Sequence, residues 1–338
     1  MKLLKILIIV GLIGILLFFF LKNVDLQQVK EHISTVNLFY LFLFLLGLWL
    51  QFFLRAYRWG ILLKPHKNKI PIMTLYNYTV IGFLLNLLPG KIGEPARGIL
   101  LAGEEKISRS YGLASVVLER MIDSSLIVIM FLLSLFFIEN SNSPFLAGLR
   151  KASFFIFPVM VLFFVMFYLI NTDKLFGRVE KLIRFVSRVL PAKIRERAIS
   201  FALNFVKGLR LHLSPFDFAK LIIASLLVWL FLIPFYWLLM KGLGFGTEVG
   251  LMETLTYFTV VAASAAIPTP GMAGSFDAAS RVALEEICKV DGNLAVAYTI
   301  LAHFLILTIM VVPGLIALWI KGINFETLKG LKDKKEEE

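Results

Sequence analysis

A small set of ionisable side chains lies inside otherwise apolar stretches of this chain. The set consists of Lys91, Glu94, Arg97, Glu119, Arg120, Asp123, Asp277, Arg281 and His303. A charged side chain at membrane depth is costly, so such residues usually pair with one another or face a watery cavity. They are therefore the first candidates for binding a ligand or a proton.

Two proline-glycine breaks position most of these side chains. The first follows Tyr76–Leu88 and reads PGKIG over residues 89–93, and the second follows Tyr257–Ile267 and reads PTPGMAG over residues 268–274. A helix broken at membrane depth exposes backbone polar groups, so such breaks occur inside protein or beside water. A matching pair in the two halves of a chain points to the binding site of a transporter.

The first break offers a site for an anionic head group. Lys91, Arg97 and Arg120 would bind the anion, helped by the backbone amides of Gly90 and Gly93 at a helix N-terminus. Glycine would also allow a phosphate to approach the backbone closely. Nearby carboxylates would hold the arginines in place, or bind a coupling proton or a cationic head group. These carboxylates are Glu94, Glu119 and Asp123.

A structural role for the same charges is the alternative. Pairs such as Arg97–Glu119 and Arg120–Glu94 would then lock the broken helix to the next apolar segment. In either case we expect these four side chains to form one buried cluster. The candidate binding residues around the second break are Pro270, Gly271, Gly274, Asp277, Arg281 and His303. A lone histidine such as this one is more typical of a packing hydrogen bond than of a proton carrier.

The composition is that of a polytopic membrane protein. Of the 338 residues, 59% are hydrophobic and 17% are charged, and the mean hydropathy is +0.83. Soluble globular proteins are about 45–50% apolar and about 25% charged. The single cysteine, Cys288, excludes an internal disulfide framework. The net charge of +12 comes from basic residues between apolar segments, which predicts contact with anionic lipid and no nucleic acid partner.

The chain has no nucleotide-hydrolysis or hydrolase motif and no cluster with metal-ligand spacing. We therefore expect no cofactor, no metal and no catalytic residues.

The apolar segments predict an all-α membrane protein with about six spanning helices and two re-entrant helical hairpins of inverted topology. The segments are Leu3–Leu21, Leu38–Leu54, Pro71–Leu88, Tyr111–Ile138, Ser153–Ile170, Phe218–Met240, Leu251–Ile267 and Leu294–Ile320. Most approach the roughly 20 residues of a spanning helix. The stretch after each break is too short and polar to span, so we expect the hairpins over about 71–102 and 251–284. Leu3–Leu21 has no cleavage site after it and is expected to be a retained helix.

The distribution of basic residues predicts cytoplasmic N- and C-termini. The predicted cytoplasmic pieces hold 24 lysines and arginines and the outer pieces hold 6. The cytoplasmic pieces are 1–5, 55–69, 103–110, 172–215 and 321–338. The periodicity of 172–215 predicts basic helices in the cytoplasmic interface, broken at Pro191. We expect one transmembrane domain over 1–325 and a solvated charged tail over 326–338.

Three ordered motifs resemble those of a known family. They read N-x-x-P-G-K-x-G-E-x-x-R over 86–97, E-R-x-x-D over 119–123 and I-P-T-P-G-x-x-G over 267–274. Together they resemble the lysylphosphatidylglycerol synthase transmembrane-region family of flippase-like membrane proteins, over roughly residues 5–320. The resemblance implies a multi-pass plasma-membrane protein of bacteria or archaea, related to the flippase half of the multiple-peptide-resistance proteins.

The chain also departs from the pattern of that family. Met272 stands where a second glycine is common, Asp277 where glutamate is common and His303 where arginine is expected. The full-length type carries a soluble aminoacyl-transferase domain, whereas 18 residues follow Ile320 here. We therefore do not expect synthesis of an aminoacyl lipid.

The leading hypothesis is a flippase-like protein that translocates or binds a lipid with a charged head group, of the phospholipid or polyprenyl-phosphate type. The alternative is a non-transporting lipid-binding accessory protein for a separate glycosyltransferase or synthase. A membrane enzyme that uses Glu94, Glu119 and Asp123 as acid and base groups comes third. The expected partners are membrane lipids, with a homo-oligomer or a membrane transferase as further possibilities.

Overall fold

A computed structural model describes residues 2–88, 92–134, 173–189, 191–210, 212–247, 249–265, 267 and 269–324, with short helical pieces between 144 and 165. Helices, with no strand, make up the regular structure of these ranges, which confirms the all-α class. Gly90, Lys91, Pro268, most of Ser153–Ile170 and the predicted tail 326–338 lie outside the described residues.

The first half of the chain contains six described helices up to residue 134. They are α1 (Lys2–Leu21), α2 (Leu26–Ser34), α3 (Leu38–Leu63), α4 (Ile72–Leu85), α5 (Gly93–Glu105) and α6 (Arg109–Ser134). Short polar side chains begin two of them, since Asp25 and Asn37 accept hydrogen bonds from backbone amides in the first turns of α2 and α3.

The second half contains the remaining described helices. They are α7 (Asp173–Val186), α8 (Ala192–Gly208), α9 (Pro215–Leu230), α10 (Ile233–Gly242), α11 (Leu251–Ser264), α12 (Ser275–Glu286) and α13 (Gly292–Ile320). Single 3-10 turns cover Ser187–Val189 and Pro270–Met272. The predicted separation of two basic helices at Pro191 is confirmed.

Both broken units fold back on themselves as helix pairs. In the first, α4 packs on α5, and in the second, α11 packs on α12. The hydroxyl groups of Tyr257 and Ser280 meet at 2.9 Å across the second pair. We call α4–α5 the first hairpin and α11–α12 the second hairpin.

The two halves share one pattern of packing partners. The first hairpin places α5 on α6 and α4 on α13, whereas the second hairpin places α12 on α13 and α11 on α6. The helices preceding the hairpins, α3 and α10, contact each other. Each hairpin therefore joins the helix that follows it to the last described helix of the other half.

One predicted boundary was wrong. Helix α3 does not end at Leu54 but continues to Leu63, so the stretch counted as the start of a cytoplasmic loop is helical and carries buried Arg55 and Arg58. The predicted apolar segment Phe218–Met240 lies within the apolar stretch Pro215–Gly242, which is long enough to span. The stretch is divided into α9 and α10, because Pro234 lacks an N–H and its ring crowds the preceding turn.

Three stretches of the described chain are long and apolar enough to cross a membrane. They are Leu38–Leu63, Pro215–Gly242 (α9 and α10 together) and Gly292–Ile320, and Ile72–Leu85 is a shorter apolar helix. The chain is therefore an integral membrane protein. The full number of spans and the orientation of the hairpins stay predictions.

Candidate functional site

Charged side chains from three helices converge in the first half of the chain. We call this group the charged cluster, and it consists of Arg55, Arg58, Glu94, Arg97, Glu119, Arg120 and Asp123. Residues three or four apart share one face of a helix. This spacing explains why α3 and α5 each turn two of these groups, and α6 turns three, toward the same place.

Asp123 is the most densely bound carboxylate of the cluster. Its Oδ1 accepts from Nη1 of Arg58 at 2.5 Å and from Nε1 of Trp229 at 2.8 Å. Its Oδ2 lies 2.8 Å from Nη2 of Arg120 and 3.4 Å from Nη1 of Arg55. A carboxylate has about four acceptor positions, so these donors fill them.

Glu119 joins the first hairpin to α3. Its Oε2 lies 2.9 Å from Nη2 of Arg97, and its Oε1 lies 3.0 Å from Nη2 of Arg58 and 3.1 Å from Nη2 of Arg120. The side chain of Glu119 is fully buried and that of Arg97 is 2% exposed. The predicted Arg97–Glu119 pair is therefore present and buried.

One edge of the charged cluster reaches solvent. Arg120 is 34% exposed and pairs through Nη1 with Oε1 of Glu94 at 3.4 Å, and Glu94 is 27% exposed. The expected grouping of Arg97, Arg120, Glu94 and Glu119 is confirmed, but the part formed by Arg120 and Glu94 is only half-buried. A ligand would reach the cluster from this edge.

The charged cluster holds more positive than negative groups. Four guanidinium groups face three carboxylates. Several buried N–H groups also have no hydrogen-bond partner, namely Nε of Arg55, Arg58 and Arg120 and Nη1 of Arg97. Leaving a buried donor unmatched costs about 1–3 kcal/mol, so such groups favour a water molecule or an anion as partner.

Aromatic rings hold two of the arginines in place. The guanidinium carbon of Arg97 lies 4.6 Å from the ring centroid of Trp59, whose Nε1 donates to Oγ of Ser115 at 2.9 Å. The guanidinium carbon of Arg55 lies 5.3 Å from the ring of Phe83 and 5.1 Å from a ring of Trp229. Cation–π contacts of this kind favour one orientation of the planar guanidinium.

The glycine after the first break has a packing role. A Cβ on Gly93 would lie 1.9 Å from the carbonyl oxygen of Gly82, so the two helices of the first hairpin meet backbone to backbone. This contact alone accounts for glycine at position 93. The phosphate contact expected there stays a prediction.

The second hairpin forms a smaller polar centre. Nδ1 of His303 lies 2.7 Å from Oδ1 of Asp277, and Nε2 of His303 lies 2.9 Å from the carbonyl oxygen of Gly271. Oδ2 of Asp277 accepts from the backbone N–H of Gly274 at 2.7 Å. Pro270 begins the 3-10 turn of this tip, and Gly271 and Gly274 have φ of +59° and +78°.

Arg281 lies apart from Asp277, although the two are four residues apart on one helix. Its Nε donates to Oε1 of Glu285 at 2.7 Å, and its Nη1 donates to the carbonyls of Phe20 and Lys22 at 2.5 and 2.9 Å. Arg281 therefore binds the C-terminal end of α1. Sequence analysis indicated Arg281 as a candidate binding residue but did not reveal this contact.

The two hairpins carry matching pairs of opposite polarity. In the first, the cation Arg97 lies on the hairpin and the carboxylate Glu119 on the following helix. In the second, the carboxylate Asp277 lies on the hairpin and His303 on the following helix. The site residues thus occupy related positions in the shared packing pattern, with the carboxylate on the following helix in the first pair and on the hairpin in the second.

Sequence reasoning missed Arg55 and Arg58. Both were assigned to a loop because the stretch without charged residues ends at Leu54. The signal that could have found them is their spacing of three with Trp59 and Leu62 beyond, which continues the helical pattern of α3.

No group of three or more histidine, cysteine, aspartate or glutamate side chains in the described part of the chain could hold a metal ion.

The model of the family described as "Lysylphosphatidylglycerol synthase TM region" matches residues 3–314 of the chain. No match was found among curated proteins or among solved structures.

Proposed function

The chain belongs to the lysylphosphatidylglycerol synthase transmembrane-region family, a membrane domain associated with lipid handling, and on that premise we propose that it translocates a lipid with a charged head group. The lipid is an anionic one, of the phospholipid or polyprenyl-phosphate type. The proposed location is the plasma membrane of a bacterium or archaeon, with the chain crossing it several times.

The observation that carries this proposal is the charge excess of the charged cluster. Each of the four guanidinium groups has a carboxylate partner, but four cations against three carboxylates give the charged cluster a net charge of +1. Arginine presents several N–H donors in a plane and suits the oxygens of a phosphate group. A phosphate that entered at the half-buried edge of Arg120 would supply both the missing charge and acceptors for unmatched donors.

The shared packing of the two hairpins supports movement of the lipid in addition to binding. Transporters often place their site between two related halves that contain broken helices. Here each hairpin contacts both α6 and α13, so a shift of one hairpin changes the surroundings of the other. We propose that the hairpins enter the membrane from opposite sides, as the charge distribution predicts.

The test is a proteoliposome assay of head-group accessibility. The purified chain is reconstituted with trace fluorescent lipids in separate arms: phosphatidylglycerol, its lysyl ester, phosphatidylethanolamine and a polyprenyl phosphate. We expect the fraction of lipid reached by a membrane-impermeant quencher to rise for at least one anionic lipid. No change in any arm would contradict the proposal.

A matched pair of variants connects the assay to the site. Arg120→Gln removes the half-exposed cation of the charged cluster, whereas Arg184→Gln removes an exposed cation on α7 that pairs with Glu180. We expect Arg120→Gln to lower the rate about tenfold or more, in line with a lost charge-assisted contact. Arg184→Gln should leave the rate unchanged.

Binding without movement would favour the second function, a lipid-binding accessory protein. In that case the anionic lipid co-purifies with the wild-type chain and is lost in Arg120→Gln, but quencher accessibility does not change. Native mass spectrometry of the purified chain measures the retained lipid directly.

A further inference from the structure

His303 has acceptor atoms facing both of its ring nitrogens. One is Oδ1 of Asp277, 2.7 Å from Nδ1, and the other is the carbonyl oxygen of Gly271, 2.9 Å from Nε2. A backbone carbonyl can only accept a hydrogen bond, so Nε2 carries a proton. The short contact on the other side requires a second proton between Nδ1 and Oδ1, because two lone pairs would otherwise face each other.

We propose that Asp277 and His303 together form a proton-binding site that holds the tip of the second hairpin in place. Whether the shared proton lies on Nδ1 or on Oδ1, the pair contains it in this conformation. The site is separate from the charged cluster, and the inference goes beyond lipid binding without depending on it.

Loss of the shared proton removes one of the two contacts. If Nε2 keeps its proton, Nδ1 and the carboxylate of Asp277 repel each other and the ring moves away. If the remaining proton is on Nδ1, the lone pair of Nε2 faces the carbonyl of Gly271 and that hydrogen bond is lost. Either outcome separates α13 from the hairpin or from its tip.

The backbone at the tip of the second hairpin has an unusual conformation that is expected to change when the contact with His303 is lost. Gly271 has φ +59°, and the next residue, Met272, has φ +60°, a conformation that residues with a side chain rarely adopt. Strained backbone of this kind persists only where the surroundings hold it. The hydrogen bond from His303 to Gly271 is such a restraint, so its loss is expected to loosen the turn.

Helices packed against α13 also carry charged and titratable groups, most of which make contacts with other residues than Asp277 and His303. Within the second hairpin Arg281 binds Glu285 and the end of α1. Arg55 and Arg58 of α3 bind carboxylates of α6, and on α4 Tyr78 donates to Glu104 while Tyr76 stacks on Phe53. On α2, which lies beside the first turn of α13, the groups are Lys30, Glu31 and His32.

Hydrogen–deuterium exchange of the full chain in lipid nanodiscs tests this site. Exchange of peptides over residues 266–276 is followed from about pH 5 to about pH 10 and divided by the intrinsic rate, with peptides over the first break as internal reference. We expect the corrected exchange at the second tip to rise about three- to tenfold as pH increases, the range for one lost hydrogen bond. Exchange that shows no such rise would overturn the proposal.

Two variants at position 303 distinguish the effect of losing the proton from the effect of changing the side chain. His303→Arg keeps a permanent cation, so the tip should stay protected and independent of pH. The amide of His303→Gln carries both N–H groups on one nitrogen, so it cannot donate to Asp277 and to Gly271 as the two ring nitrogens do, and exchange should be fast throughout. A wild-type pH profile in His303→Gln would contradict the site.

A second measurement uses only the wild-type chain, so it does not depend on whether a variant folds. Nitrogen NMR of the wild-type chain labelled in histidine should show one ring among the four histidines whose shifts change together with tip exchange. Histidine shifts that all stay constant over the same pH range would also overturn the proposal.

Discussion

Arg97 and Glu119 form a buried ion pair between the first hairpin and α6. Nη2 of Arg97 lies 2.9 Å from Oε2 of Glu119, and neither side chain exposes more than 2% of its surface. The pair belongs to a network in which Glu119 also binds Arg58 and Arg120. Two cations therefore remain beside Glu119 if Arg97 is removed, whereas Arg97 loses its carboxylate if Glu119 is removed.

This difference predicts an order among single variants. Glu119→Ala should lower the free energy of unfolding by about 3–5 kcal/mol, because Arg97 loses its carboxylate and Arg58 and Arg120 each lose one of theirs, and Arg97→Ala should lower it by less. The double variant should cost less than the sum of the two. Denaturant or thermal unfolding in detergent measures all three, with exposed Arg184→Ala as a control expected to change stability by less than about 1 kcal/mol. Additive effects would contradict the network.

Gly93 and Gly103 lie on the same helix and give a matched test of hairpin packing. A Cβ on Gly93 would lie 1.9 Å from the carbonyl of Gly82, whereas a Cβ on Gly103 meets nothing within 4 Å. We expect Gly93→Ala to separate α4 from α5 and lower stability by several kcal/mol. Gly103→Ala should be neutral or raise stability by up to about 1 kcal/mol through helix propensity. Equal effects would show that the helices do not meet this closely.

Two tryptophans distinguish a charged acceptor from a neutral one. Nε1 of Trp229 donates to the carboxylate of Asp123 at 2.8 Å, and Nε1 of Trp237 donates to the carbonyl of Val249 at 2.9 Å. Trp229→Phe should lose about 1.5–3 kcal/mol of stability for that hydrogen bond and Trp237→Phe about 0.5–1.5 kcal/mol. Both changes shorten a ring system that lies beside a cation, Arg55 for Trp229 and Lys241 for Trp237, and both leave a phenyl ring there, so the change in acceptor is the main difference between the variants. A larger loss in Trp237→Phe would contradict the cluster geometry.

The contact between His66 and Tyr111, outside the spanning helices, is expected to be sensitive to acid. Its ring stacks on Tyr111 with centroids 3.9 Å apart, and burial, together with repulsion from His212, lowers the pKa of His66 below its usual value. The folded state therefore favours the neutral ring. Its contribution to stability is present above the unfolded pKa of about 6.5 and is lost as pH falls through the lower folded value.

The corresponding variant is His66→Phe, which keeps an aromatic ring without a titrating group. Unfolding curves at about pH 7.5 and about pH 5 should show a smaller loss on acidification in the variant than in the wild-type chain. An identical loss in both proteins would assign the acid sensitivity to other groups.

Helix α7 presents an apolar surface that we expect to contact lipid. Phe185 is 64% exposed and Leu182 is 59% exposed, whereas Lys181 lies among exposed basic side chains. A spin label at position 185 should be more accessible to oxygen, and a label at 181 more accessible to a water-soluble nickel complex. Native Cys288 should stay unlabelled, because burial and the nearby Glu253 raise the pKa of its thiol to about 12. Equal accessibility at both positions would place α7 in water.

Sequence patterns predicted the helical class and the break at Pro191, because these depend on local spacing or on breaker residues. They also predicted the Arg97–Glu119 contact, because the two helices that carry these residues follow one another in the chain. They failed for Arg55 and Arg58, whose charges interrupt an apolar run although helix α3 continues through them. They also failed for Trp229, which reaches Asp123 from 106 positions away along the chain. Long-range contacts of this kind follow from the packing of whole helices, and spacing within one segment does not encode them.

The contact between Arg281 and the end of α1 has a consequence for the order of assembly. The carbonyl groups at the C-terminal end of a helix accept no hydrogen bond from within the helix. Here the carbonyls of Phe20 and of Lys22, just after α1, accept hydrogen bonds from Arg281, about 260 positions later in the chain. During synthesis the N-terminus of the chain leaves the ribosome first. Helix α1 is therefore made first, but its contact with Arg281 forms only after most of the chain has been made. A ribosome-bound chain that stops before residue 281 should therefore leave the end of α1 open to protease, and one extended well beyond it should not.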